Sequence, residues 1–128
     1  GNKDALIITS VSADHPQELA WARQAKDNGN RLIAVGMEPS TELQRLSDCY
    51  LSNACHEEDG VVEVAGCEES ICPTSGIINN VITQMLLAQM TDELCRRGAV
   101  PYFYMGVYRT GGSEYNGLFR RHFEARGY

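Results

Sequence analysis

The stretch that decides the fold runs from residue 5 to residue 16 and reads ALIITSVSADHP. It begins with a continuous apolar run, Ala5 to Val11, which ends in small hydroxyl-bearing residues. A run without polar alternation is typical of a parallel strand that helices cover on both faces. Pro16 fits the first turn of a helix that Ser12 or Asp14 would cap. The stretch therefore predicts a strand, a short loop and a helix.

The rest of the chain continues the alternation of strands and helices. We predict further strands over 31–35, 49–51 and 61–64 (the last a strand or an edge segment), loops over 53–60 and 66–72, an extended aromatic segment over 101–107, and helices that begin at Ser40, Pro73 and Ser113. The longest helix carries apolar residues at steps of three and four from Ile77 to Leu94. So broad a stripe predicts burial against a sheet or a partner chain. The pattern indicates an α/β fold with a mainly parallel sheet.

Composition limits the class of protein. A chain of 128 residues suffices for one domain, which we place over residues 1–128. Its net charge of −6 argues against nonspecific nucleic-acid binding, which needs excess cations. No apolar run reaches the roughly 18–20 residues of a membrane helix. The partner is therefore predicted to be a small molecule or a protein, not a nucleic acid or a membrane.

The five cysteines indicate a reducing compartment and do not have the spacing of a typical metal site. An odd number in a chain with an adequate core does not suggest a disulfide framework, so we predict reduced thiols and a cytoplasmic location. Cys67 and Cys72 have four residues between them, whereas structural zinc sites usually use closer pairs. We therefore predict buried free thiols, no metal and no cofactor.

The first candidate ligand site is the loop that follows the first strand. Open α/β sheets bind ligands at the carboxyl ends of their strands, and the Ser10 and Ser12 hydroxyls beside free helix N–H groups suit a phosphate or sugar hydroxyls. Asp14 and Glu18 are anionic and argue against a bare phosphate, so they would face sugar hydroxyls or solvent. The alternative interpretation is a helix cap with small residues for packing.

Two further loops are candidates. Thr74 and Ser75 at the start of the longest helix could hold an anion or a sugar oxygen, although ordinary capping is the alternative. The Gly-Gly loop within 108–116 is dense in polar side chains, with Glu114 as a candidate general base and Arg109 as a candidate anion clamp. Its alternative is again a cap of the last helix.

The motifs in this order resemble the sugar isomerase (SIS) domain family, in which a strand ends in Ser-x-Ser-Gly and a helix with Pro-Glu follows. The similarity is greatest to a phosphoheptose-isomerase-like subgroup of uncharacterised SIS proteins. Their Ser-Val-Ser-Gly, Gly-Pro-Thr-Ser and terminal Gly, Glu and Asn correspond here to residues 10–13, residues 72–75, and Gly112 with Glu114 and Asn116. Alanine and cysteine replace the glycines of the first two motifs.

The resemblance implies a three-layer α-β-α sandwich of the flavodoxin-like kind. SIS domains begin with helices and a strand whose Gly/Ser-rich loop supplies half of the phosphate site. Residues 1–4 cannot supply that segment, so the resemblance implies the C-terminal part of a SIS protein. A reduced relative that lacks that half is the alternative.

The resemblance also implies a sugar phosphate as ligand and assembly as a homodimer or higher oligomer. The implied ligand contacts are Ser10, Ser12, Thr74, Ser75 and Asn116. An aldose–ketose isomerase needs a base and an acid, for which Glu114 and either His15 or His122 are the candidates. A non-catalytic module that senses a sugar phosphate and a ligand-free interaction domain are the alternatives.

Overall fold

A parallel sheet of three strands forms the centre of the first part of the chain. The computed structural model describes residues 4–12, 14–38, 42–56 and 59–125. The strands β1 (Ala5–Thr9), β2 (Arg31–Gly36) and β3 (Cys49–Ser52) are hydrogen-bonded in the order β1-β2-β3. Two helices, α1 (Pro16–Asp27) and α2 (Glu42–Leu46), connect successive strands. The predicted α/β class with a parallel sheet is therefore confirmed.

The chain divides into two compact units, residues 1–86 and residues 87–128. The first unit also holds an antiparallel pair of short strands, β4 (Gly60–Val62) and β5 (Ile71–Pro73). A long helix, α3 (Ser75–Arg96), contributes residues to both units, and α4 (Gly112–Glu124) belongs to the second. None of the helices in the described residues combines the length and the apolarity that a membrane span requires.

The core of the first unit lies around the central strand. Leu32 and Ala34, which point to the same face of β2, are fully buried. They form one cluster with side chains from β1, α1 and α2, namely Ile8, Leu19, Ala22 and Leu43. The prediction of the second strand from its apolar run is confirmed, and the strand extends one residue further, to Gly36.

The residue that caps α1 differs from the prediction. His15, not Ser12 or Asp14, is the N-cap of α1, and its Nδ1 accepts the Gln17 N–H at 3.3 Å. Pro16 at the first helical position restricts the residue before it to extended backbone, which is the N-cap conformation. The Asp14 carboxylate instead accepts the N–H groups of the first two residues of α2, at 3.1 and 3.2 Å. Ser40, the predicted start of α2, lies outside the described residues.

Gly60 brings the two strands of the antiparallel pair together. A Cβ at Gly60 would lie 2.4 Å from the Ser70 carbonyl oxygen, so only glycine permits this approach. The predicted loop over 66–72 is therefore wrong at its end, because Ile71 and Cys72 belong to β5. The sequence predicts that Pro73 opens the long helix. Pro73 is instead the last residue of β5, and α3 begins at Ser75.

The predicted burial of α3 against a sheet of the same chain is wrong. Its buried residues are polar, Ser75 and Asn79, whereas Ile77, Val81 and Met85 of the apolar stripe are exposed. The polar pair faces the ends of the strands, and this orientation turns the apolar stripe away from the described core. Coverage of the stripe by a partner chain stays a prediction.

Candidate functional site

Ser10 organises the loop that follows β1. β1 ends at Thr9, earlier than the predicted Val11, and Ser10 is fully buried. The Ser10 hydroxyl lies 2.5 Å from both a Glu18 carboxylate oxygen and the Ser12 carbonyl oxygen, and it accepts the Ser12 N–H at 3.1 Å. These bonds turn the chain out of the strand. Ser10 therefore fixes the loop, whereas the exposed side chain of Ser12 is available to a ligand.

Two buried amides connect this loop to the end of β3 and to α3. The Asn79 Nδ2 donates to the Ser10 carbonyl oxygen at 3.1 Å, and the Asn79 Oδ1 accepts from the Asn53 Nδ2 at 2.8 Å. The Asn53 Oδ1 in turn accepts the Cys55 N–H at 3.0 Å. Both asparagines are less than a tenth exposed, so a low local dielectric strengthens these bonds. The pair fixes the first turns of α3 against the carboxyl ends of β1 and β3.

The first turn of α3 is occupied by the carboxylate of Asp59. The Asp59 Oδ1 accepts the Ser75 N–H at 2.7 Å and the Thr74 N–H at 3.1 Å. The Ser75 hydroxyl donates to the Asp59 Oδ2 at 2.5 Å, and the Thr74 hydroxyl donates to the Oδ1 at 3.4 Å. A carboxylate at a helix N-terminus satisfies free N–H groups and favours the helix dipole. Asp59 therefore accepts from the Thr74 and Ser75 groups that the sequence analysis predicts as donors to a ligand anion.

These bonds lower the pKa of Asp59 from its usual 3.8, with the Ser75 hydroxyl the largest cause, ahead of the Ser75 and Thr74 N–H groups. A carboxyl whose pKa falls on folding stabilises the protein fully above its unfolded-state pKa, and this contribution is lost as the pH falls through the folded value. We expect the free energy of unfolding to decline below about pH 4.

The order of the causes gives a direct test. Ser75→Ala should raise the pKa of Asp59 more than Thr74→Val does, because the Ser75 hydroxyl is the largest cause and the Thr74 hydroxyl the smallest. The titration of the Asp59 carboxyl carbon, followed by NMR, measures both shifts. Equal pKa values of Asp59 in wild type and Ser75→Ala would contradict this assignment.

The remaining predicted site residues lie in the second unit. Asn116 binds the backbone of Met105 with both ends of its amide, at 2.8 and 2.7 Å, so it fixes the segment before α4. His122 packs its ring against Tyr102, with 4.7 Å between ring centroids. Glu114 is exposed in the first turn of α4, whose N-cap is a glycine without a side-chain cap. The alternative interpretation of this loop as a side-chain cap is therefore wrong, and the helix begins at Gly112, one residue before the predicted Ser113.

The thiols also differ from the prediction. Each cysteine is a free thiol, but only Cys55 is buried, and the other four are exposed: Cys49, Cys67, Cys72 and Cys95. The prediction of buried thiols is wrong for those four, because they lie in edge strands, in a loop and on α3. In the part of the chain that the structure describes, no three His, Cys, Asp or Glu side chains gather to hold a metal ion.

Sequence reasoning missed three residues of this site, Asn53, Asn79 and Asp59. Asn79 interrupts an apolar helical stripe, and Asn53 directly follows a strand, so both carried a detectable signal. Asp59 carried none, because its partners lie 15 and 16 residues further along an irregular segment.

The comparisons with known proteins give distant relatives. No protein-family model matches the chain. It is 24% identical over 88% of its length to the UPF0309 protein of Listeria monocytogenes. It is 28% identical over 93% to that of Shouchella clausii and 27% identical over 88% to that of Brucella anthropi. The chain spans about half the length of these curated relatives, 53%, 53% and 50%. Their shared name states no activity.

Proposed function

We propose that the chain is the ligand-binding part of a sugar-phosphate-binding protein of the SIS type. One observation carries the proposal: a continuous set of hydrogen bonds joins the carboxyl ends of β1 and β3 to the first turns of α3. Ligands of open α/β sheets bind at this end of the strands. The Ser-x-Ser and Pro-Thr-Ser motifs of the resemblance lie beside the same set.

The three-layer sandwich is part of this proposal. α1 and α2 both pack on the face of the sheet that carries Ile8, Leu32 and Ala34, and the proposal places a further helix layer on the opposite face. Parallel sheets occur almost only where helices cover both faces, so the sheet favours that architecture over a two-layer one.

The charges at this end of the sheet favour the sugar over the phosphate. Glu18 and Asp59 place two carboxylates near the strand ends, and Asp59 already uses the N–H donors at the start of α3. Carboxylate oxygens accept from sugar hydroxyls, whereas they repel a phosphate dianion. The proposed orientation therefore directs the sugar hydroxyls toward Ser12 and Glu18, with the phosphate away from the carboxylates.

Binding is tested by calorimetry and thermal shift with a panel of hexose and heptose phosphates, the free sugars and inorganic phosphate. We expect stabilisation by at least one sugar phosphate, about 2.7 kcal/mol at one hundred times its Kd. Ser12→Ala should weaken binding by about tenfold, the loss of roughly one hydrogen bond. Ser70→Ala, which removes a hydroxyl from the residue just before β5 in the same unit, should leave the Kd unchanged.

Two outcomes would contradict the proposal. One is the absence of stabilisation by any sugar phosphate at millimolar concentration. The other is an equal loss of affinity in Ser12→Ala and Ser70→Ala. Isomerisation, with Glu114 as base and His15 or His122 as acid, stays a prediction, as does assembly as a homodimer.

A further inference from the structure

Asp14 joins the loop after β1 to a second element of the first unit. Its Oδ1 accepts the Glu42 N–H at 3.1 Å and the Leu43 N–H at 3.2 Å, and these are the first two residues of α2. The N–H groups in the first turn of a helix have no partner within that helix, so an outside acceptor satisfies them. The two bonds hold the Asp14 carboxylate against the start of α2.

The start of α2 is itself fixed to the rest of the first unit. The Leu43 side chain is fully buried and belongs to the core cluster around β2. The Glu42 carboxylate accepts from the Arg23 guanidinium of α1 at 2.6 Å. Because close packing restricts the movement of a buried side chain, the Leu43 N–H offers Asp14 a fixed point of attachment.

Asp14 and Ser12 belong to one short turn. The His15 N–H donates to the Ser12 carbonyl oxygen at 3.3 Å, and Asp14 lies between these two residues in the chain. Ser12 is also bonded to the buried Ser10, whose hydroxyl oxygen accepts the Ser12 N–H at 3.1 Å. A displacement of Asp14 is therefore transmitted to Ser12, whose exposed side chain lies in the same turn.

We propose that Asp14 is a positioning residue for the sugar-phosphate site, because its two hydrogen bonds to α2 fix the turn that carries the Ser12 hydroxyl. The inference rests on the proposed function, in which Ser12 contacts the ligand. Asp14 acts through Ser12, since its Oδ1 already accepts from two N–H groups of α2. Precise placement of a contact by a supporting residue is what a binding site requires. Affinity thus depends on the acceptor oxygen of residue 14 and not on its charge.

The experiment measures the Kd of the 128-residue chain for the hexose or heptose phosphate that stabilises it most. Asp14→Ala removes the acceptor and should weaken binding by about tenfold, as is expected for Ser12→Ala. Asp14→Asn keeps an oxygen that can accept both N–H groups, so it should bind within about twofold of the unaltered chain. Asp27→Ala removes an acid at the opposite end of α1 and should also leave the Kd unchanged.

A double variant separates a positioning residue from a direct ligand contact. If Asp14 acts through Ser12, the combination of Ser12→Ala and Asp14→Ala loses about tenfold in affinity, as each single variant does. Two independent contacts would lose about a hundredfold together, since the free-energy changes of independent sites add.

A measurement without ligand tests the two bonds to α2. The Glu42 and Leu43 amides should exchange hydrogen much faster in Asp14→Ala than in the unaltered chain, whereas Asp14→Asn should resemble the unaltered chain. Residues 12, 14 and 27 are exposed, so all of the variants are expected to fold, which circular dichroism checks.

The outcomes distinguish this inference from the proposed function. Equal Kd values for Asp14→Ala and the unaltered chain, or a hundredfold loss in the double variant, would overturn the inference alone. Unchanged amide exchange in Asp14→Ala would also overturn it, and tighter binding by both Asp14→Asn and Asp14→Ala would assign the effect to charge. No binding of any sugar phosphate by the unaltered chain would overturn the proposed function, and this inference with it.

Discussion

Replacement of Asn79 by leucine is expected to destabilise the first unit by about 2–6 kcal/mol, because it leaves two buried polar groups without partners. The Ser10 carbonyl oxygen loses the donor at 3.1 Å, and the Asn53 Nδ2 loses its acceptor at 2.8 Å. Each unsatisfied buried group costs about 1–3 kcal/mol. Chemical denaturation followed by circular dichroism measures the change.

The neighbouring residue provides the control. Asn80 lies on the same turn of α3 and is exposed, so Asn80→Leu changes the same chemistry without affecting the buried amides. We expect a change within about 0.5 kcal/mol for it, as is usual for surface substitutions. Equal destabilisation by the two variants would show that Asn79 does not connect the strand ends to α3.

Gly112→Ala is expected to destabilise the second unit by about 1–3 kcal/mol, the range for a forced overpacking. A Cβ at Gly112 would lie 2.4 Å from the Gly106 carbonyl oxygen, a backbone atom that cannot move aside by rotating a side chain. The added methyl must therefore displace the segment before α4. Near-ultraviolet circular dichroism of the aromatic residues in this unit reports that displacement.

Gly117→Ala is the matched control on the same helix. A Cβ at Gly117 meets no atom within 4 Å, and alanine favours a helix by about 0.8–1.0 kcal/mol over glycine. The same substitution is therefore expected to have opposite signs five residues apart on α4. A stabilising effect of Gly112→Ala would contradict the close packing of Gly112 against Gly106.

The strands of the parallel sheet were predictable because their signal is local. An apolar run such as 31–35 indicates a buried strand without reference to any other part of the chain. The bounds of β2 differ from the prediction by one residue. The first helix was predictable for the same reason, since Pro16 fixes its beginning. Local backbone preferences therefore determined this part of the fold.

The caps and the amide pair depend on contacts between residues far apart in sequence. Asp14 caps a helix 28 residues later, and Asn79 bonds to a residue 69 positions earlier. A local sequence pattern does not show which distant residues come into contact, so the sequence predicts Asp14 as a cap of the helix nearest to it. The exposed apolar stripe of α3 has the same cause. An apolar pattern indicates which face of a helix is to be buried but not which element buries it.

The central claim is that a sugar phosphate binds at the carboxyl ends of β1 and β3 beside α3. The most direct measurement is the amide spectrum of the isotope-labelled chain during titration with the sugar phosphate that stabilises it most. We predict shifts concentrated at residues 10–12, Asn53 and Asn79. Saturating shifts confined to other residues, or no shifts at saturating ligand, would contradict the account.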